Sequence, residues 1–110
     1  MKQGEIWLTN LNPTPGSEQA GTRPVLIISG NLLNQYAEVV ICVPLTTIIK
    51  KYHGNLIVEP NHINGLSEKS EVLTLHIRSI SKTRLIKRLG KISTEEIRKV
   101  LTCVSEILTY

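Results

Sequence analysis

Two stretches, PVLIIS and VVICVPL, which end at Ser29 and Leu45, are β-branched and almost continuously apolar. A strand with one face in water alternates apolar and polar residues, so a run without polar interruption has to bury both faces. Both are predicted to be central strands and to form the core. With 110 residues the chain fits one domain, 1–110, built around a single core.

The flanking segments fill in a sheet. GEIWLTNL reads as a first strand, Ile6 and Leu8 alternating against Glu5, Trp7 and Thr9. NPTPGSEQAGTRP after it is rich in turn formers and long for a connection that has no other task. NLLNQYAE is an irregular or one-turn helical link, TTIIKKYHG opens a loop, NLIVEP is a short strand closed by Pro60, and NHINGLSEKS is a turn region. EVLTLHIR alternates, so one strand is predicted with Leu73, Leu75 and Ile77 on one face and Thr74, His76 and Arg78 on the other. RLIKRLGKI gives a further strand-like segment broken by Gly90. The period then changes: Ser93 and Glu96 form a capping box, and Ile97, Val100, Leu101, Val104, Ile107 and Leu108 follow at helical spacing. Several short strands followed by one amphipathic helix predict a mainly β fold, a small, strongly curved antiparallel sheet or barrel with a C-terminal helix laid on it.

Composition narrows the chemistry. No apolar run reaches the roughly 20 residues of a membrane span, and MKQGEIW passes from charge into a strand pattern without a signal-peptide core, so a cytoplasmic protein is expected. Cys42 and Cys103 sit among apolar residues as structural thiols do. His53, His62 and His76 lack zinc-site spacing and the chain contains no Asp, so neither a metal nor a cofactor is expected. Neither a serine-hydrolase pattern nor a phosphate-binding loop is present, because GSEQAG leads into a strand. Net charge is +4, unevenly placed: residues 1–49 carry two basic and three acidic groups (net −1), residues 50–110 eleven and six (net +5). Arg78, Lys82, Arg84, Lys87, Arg88 and Lys91 follow one another without an acid, either a phosphate-binding stripe or a solvated surface.

A basic protein without metal ligands can still cleave RNA, whose 2′-hydroxyl is its own nucleophile. The enzyme then has to move two protons and stabilise a phosphorane, and a planar guanidinium suits the last task. Arg23 is a candidate, since Lys2 is the only other basic residue before position 50. A salt bridge to Glu18 is the structural alternative. Thr46 or Thr47 offers a hydroxyl, although a Thr-Thr pair after a strand is also a common turn device.

GEIWLTNLNPTPGSEQAGTRPVLIIS resembles the N-terminal signature of the MazF/PemK (Kid) toxin family, and VICVPLT, NHINGL and LHIRSISKTRLIKRLGKIS follow in the order that family shows. The resemblance covers nearly the whole chain and is densest over 4–29. It implies an SH3-like, strongly bent antiparallel β-barrel of the CcdB/MazF type with a C-terminal helix, assembled as a homodimer. It also implies the toxin of a type II toxin–antitoxin pair, a metal-independent, sequence-specific endoribonuclease (mRNA interferase) on single-stranded RNA. Its partner would be a cognate antitoxin with an acidic, partly disordered segment.

Carried onto matching positions, the resemblance makes Arg23 and Thr46 catalytic, places Glu18 and Gln19 in a loop over RNA, and sets Ser70, His76 and Arg78 around the substrate groove. Thr47, Tyr52 and His53, beside or beyond Thr46, are further RNA-binding candidates. The PemK/Kid branch carries an acid in the strand corresponding to 73–77, where this chain offers Leu75. Arginine, with a pKa above about 12, is a poor base, so Arg23 is read as a phosphate clamp and His76 as the candidate acid–base group. The structural alternative for His76 is a surface strand histidine, and for Trp7 core or dimer packing. The competing function is a non-nuclease toxin or binding module of the same fold, such as a CcdB-like DNA gyrase inhibitor, since a fold never fixes a function.

Overall fold

A computed structural model of the chain describes residues 1–11, 21–52 and 54–110. Seven strands, all paired antiparallel, make one curled sheet: β1 (Glu5–Asn10), β2 (Thr22–Ile27), β3 (Val39–Thr46), β4 (Ile57–Val58), β5 (Ser70–Val72), β6 (Arg78–Ser81) and β7 (Leu85–Lys91). Their order is β4-β5-β3-β2-β1-β7, with β6 also paired to β3. Helix α1 (Asn31–Tyr36) links β2 to β3, and α2 (Thr94–Thr109) closes the chain.

The two apolar runs are buried on both faces, as their lack of alternation requires. Leu26, Ile28, Val43 and Leu45 enter a main core with Ile6, Val58, Val72, Ile92 and Val100. Val25, Ile27, Val40 and Cys42 enter a second core with Ile80 on the opposite side. Trp7, half-buried, packs against this second core, and its Nε1 donates to Glu5 at 2.9 Å. Burial at roughly 25 cal/mol per Å² of apolar surface makes these β2 and β3 side chains the main stabilising set.

β3 divides its partners. Val39–Cys42 pair with β6 and Leu45–Thr46 with β5, so the ladder parts around Pro44, a residue with no N–H to donate. Leu73 N–H donates to the Pro44 carbonyl at 2.9 Å, and a single 3-10 turn, Thr74–His76, occupies the gap. The continuous strand predicted over EVLTLHIR is therefore corrected. Because the turn rotates the side chains, Thr74 is buried and Leu75 is 72% exposed, the reverse of the predicted faces.

Other expectations also shift. In β1 the pairing with β7 slips at Ile6/Trp7 and at Leu8/Thr9, so Thr9 is buried and Leu8 only partly. β7 is not broken by Gly90 but runs through it, because the turn at Ile63–Asn64 lies directly on this residue. The buried Asn64 side chain holds that turn, donating to the Glu59 carbonyl and accepting from Asn61 and Leu66 N–H. The basic run is not a continuous stripe. Lys82 donates to the Asn34 carbonyl, Arg84 to the Asn10 carbonyl, and Arg88 pairs with Glu5 at 3.2 Å.

The capping box forms as predicted, Ser93 Oγ accepting from Glu96 N–H at 3.1 Å and Glu96 accepting from Ser93 N–H at 2.9 Å, an arrangement worth about 1 kcal/mol. Val100 and Cys103 are the buried residues of α2, with Ile97 and Val104 packed partly behind them. Leu101, Ile107 and Leu108 remain exposed, so the predicted apolar stripe is wider than the surface it covers within the chain.

A Cβ at Gly90 would stand 2.2 Å from the Ile63 carbonyl oxygen, against backbone that cannot yield cheaply. Gly90→Ala should lower the unfolding free energy by roughly 2–4 kcal/mol in urea titration. Gly30→Ala, where no atom lies within 4 Å of the added carbon, should cost less than about 1 kcal/mol. Burial pushes the Cys42 thiol up to about 11, against a smaller lowering from Arg78 across the ladder. Iodoacetamide at about pH 8 should leave Cys42 unmodified in the native protein and alkylate it in urea, read by peptide mass mapping.

Candidate active site

The gap beside Pro44 turns the sheet edge into a site. A cavity of about 360 Å³ is lined by Leu11, Arg23, Pro44, Ile77, His76 and Arg78. A second, about 220 Å³, is lined by Thr46, Lys50, Tyr52 and Glu71 and meets the first at Leu73 and His76. His76 thus stands between Arg23 and Arg78 on one side and Thr46 on the other, carried there by the 3-10 turn and not by strand alternation. A larger cavity, about 630 Å³, lies between Gly54–Ile57 and α2. It mixes Glu95, Arg98, Lys99 and Glu106 and includes none of the candidate catalytic residues, so chemistry favours the smaller pair.

Arg23 is exposed on β2, opposite Thr9, one position before Pro24. Neither ion pair among the described residues, Lys69–Glu59 or Arg88–Glu5, involves it, and the alternative pairing with Glu18 lies outside the described residues. Its strand therefore fixes the backbone while the guanidinium reaches into the cavity. The Thr46 hydroxyl oxygen accepts from Ile48 N–H at 3.1 Å, which is the turn role anticipated for it. Accepting that bond leaves its O–H free to donate, and Thr46 lines the second cavity. Tyr52 is 59% exposed at the rim.

Not every candidate joins the site. Ser70 is buried and donates its hydroxyl to the Glu68 carbonyl at 3.0 Å, so it lines neither cavity. Thr47 is exposed but lines neither. Glu18, Gln19 and His53 lie outside the described residues. Leu75 lies in the adjoining cavity with Tyr52 and Ile107.

Glu71 was not anticipated. This fully buried side chain accepts from Lys50 and Lys51 N–H at 2.8 and 2.9 Å, from Tyr52 N–H at 3.1 Å and from the Asn55 amide at 2.8 Å. Leaving water raises its pKa, but the four hydrogen bonds outweigh this and hold the carboxyl below the ordinary range, so it stays ionised. The EVL run carries one signal of it: a glutamate immediately beside an apolar strand run has to find donors if the strand is buried.

Residues 2–108 match the family described as PemK-like, MazF-like toxin of type II toxin-antitoxin system. The chain is 35% identical over 101 residues to the Endoribonuclease MazF of Staphylococcus saprophyticus, covering 91% of this chain and 84% of that protein. In fold it is similar to MazF from Deinococcus radiodurans, with a TM-score of 0.77, 26% identity and coverage of 99% and 96% of the two chains. It is also similar to a mycobacterial endoribonuclease solved in complex with its cognate antitoxin, with a TM-score of 0.75, 23% identity and coverage of 98% and 92%. Sequence match over nearly the full length and the curled sheet with its terminal helix agree: the chain belongs to the PemK-like, MazF-like family of type II toxins.

Proposed function

We propose that this toxin acts as an endoribonuclease on single-stranded RNA and that the paired cavities at Pro44 are its active site. The observation that carries the reading is that Arg23, His76 and Arg78 line one cavity whose wall at Leu73 and His76 is shared with the cavity of Thr46. Two guanidinium groups, an imidazole and a hydroxyl are the inventory that transesterification of RNA needs. The 2′-oxygen bonds to phosphorus, the bond to the 5′-oxygen breaks, and a cyclic phosphate and a 5′-hydroxyl result. Arg23 holds the phosphate and stabilises the charge that develops, with Arg78 as a second cation. Thr46 donates a hydrogen bond, and His76 takes or returns the proton. Leu75 has no proton to give, and Glu71 is buried with its oxygens engaged, so neither serves as the acid.

Bases splayed out of a single strand would stack on Tyr52 and hydrogen-bond at the rim, with Glu18, Gln19 and His53 as further contacts. The toxin works as a homodimer in the cytoplasm. Its antitoxin carries an acidic, partly disordered segment that folds across the cationic groove and competes with RNA. The matched family and the named relatives are MazF-like, which does not favour the gyrase-inhibitor alternative.

Antitoxin-free protein incubated in EDTA with a long single-stranded transcript should make discrete cuts. Arg23→Ala should lower the rate by about 10²-fold or more and Thr46→Ala by about tenfold, each with an unchanged circular dichroism spectrum. Absence of cutting by the folded wild type across varied transcripts would remove the nuclease assignment.

A further inference from the structure

We propose that Glu71 is a positioning residue for substrate binding: its carboxylate fixes the backbone of residues 50–52 so that Lys50, Lys51 and Tyr52 face the RNA strand beside Thr46. The inference rests on the reading of the paired cavities as an RNA site and names the groups that grip the strand there.

Three consecutive backbone N–H groups, those of Lys50, Lys51 and Tyr52, converge on one carboxylate. Such a run of N–H groups forms a concave anion site, usually filled by a phosphate or another external anion. Here the chain supplies the anion itself. Lys51 has φ 56, the left-handed region, and is the only non-glycine residue with positive φ among the described residues. That conformation is unfavourable for lysine and persists where surrounding bonds over-determine it. Lys50 and Lys51 N–H share one carboxylate oxygen, and the Asn55 side-chain amide joins Tyr52 N–H on the other.

What the arrangement presents outward is informative. With their N–H groups turned inward, Lys50 and Lys51 are exposed, and Tyr52 sits at the rim of the cavity that holds Thr46. Two cations next to an aromatic ring match a single-stranded backbone with a base free to stack. Glu71 is fully buried and its oxygens are taken up by Lys50, Lys51, Tyr52 and Asn55, so although it lines the Thr46 cavity it acts in this scheme through the residues it holds.

The test compares wild type, Glu71→Gln and Asn55→Ala. KM and kcat are measured on a transcript the wild type cuts, and affinity is measured for a short 2′-O-methyl RNA spanning a mapped cut, at several salt concentrations. Glutamine keeps the shape of the side chain but places an amide N–H₂ against the converging donors. For folded Glu71→Gln, KM should rise about tenfold, the loss of one stacked base, while kcat falls less. The slope of log affinity on log salt should drop by about 0.7 for each lysine that leaves its phosphate. A simple loss of folded protein would lower apparent kcat and leave KM and the salt slope untouched. If Glu71→Gln does not fold, Asn55→Ala decides, with a smaller rise in KM in the same sense. A folded variant with wild-type KM and salt slope, or with its whole loss in kcat, overturns the inference. If the wild type neither cuts nor binds RNA, the assignment of the groove fails first and this inference falls with it; cutting by wild type with unaltered variants overturns this inference alone.

Discussion

The burial of β2 and β3 on both faces, interrupted by a proline, is the constraint from which the rest of the molecule follows. A strand buried on both sides must have every backbone donor paired, and Pro44 has none to offer. Two partner strands therefore share β3, one on each side of the interruption, and the chain joining them has to cross the gap in a tight turn. The sheet curls because β3 serves two neighbours along one edge. The cavity is what remains between them.

Charge is divided between construction and chemistry. Lys82, Arg84 and Arg88 bind carbonyls or a carboxylate of the chain itself, so half of the densest basic run in the sequence is engaged in holding the fold. The cations that line the cavities, Arg23, Arg78 and Lys50, come from three separate segments of the chain. A net charge of +4 draws a polyanion toward the surface but does not by itself fix where one would bind. The buried Glu71 adds the converse case, an anion whose oxygens are taken up by three backbone N–H groups and the Asn55 amide.

Much of this was legible in the chain. The unbroken runs announced central strands because burial on both faces leaves no place for polar residues, and the Ser93–Glu96 pair announced the start of α2 because its bonds are local. Arg23 stood out as an isolated cation. What escaped was set by partners distant in sequence. EVLTLHIR alternates well enough for a strand, and only the split at Pro44, some thirty residues earlier, converts its middle into a turn. Gly90 read as a breaker because the Asn64 turn that needs its missing side chain is remote. Ser70 read as a groove residue through the resemblance, yet its hydroxyl is spent on Glu68. Glu71 read as one more charge until its donors converged.

The base of the β1–β2 hairpin has a further consequence. Register runs through Asn10 opposite Thr22, and Leu11 N–H then donates to the Gly21 carbonyl at 2.8 Å, so the two ends of the intervening segment are clamped together next to Arg23. The entropy of closing that segment is set mostly by its clamped ends, and each doubling of its length adds only about 0.6 kcal/mol. The number of residues between Leu11 and Gly21 can therefore change at small cost while Arg23 keeps its place in the ladder, so the length of this connection and the position of the guanidinium are separately variable.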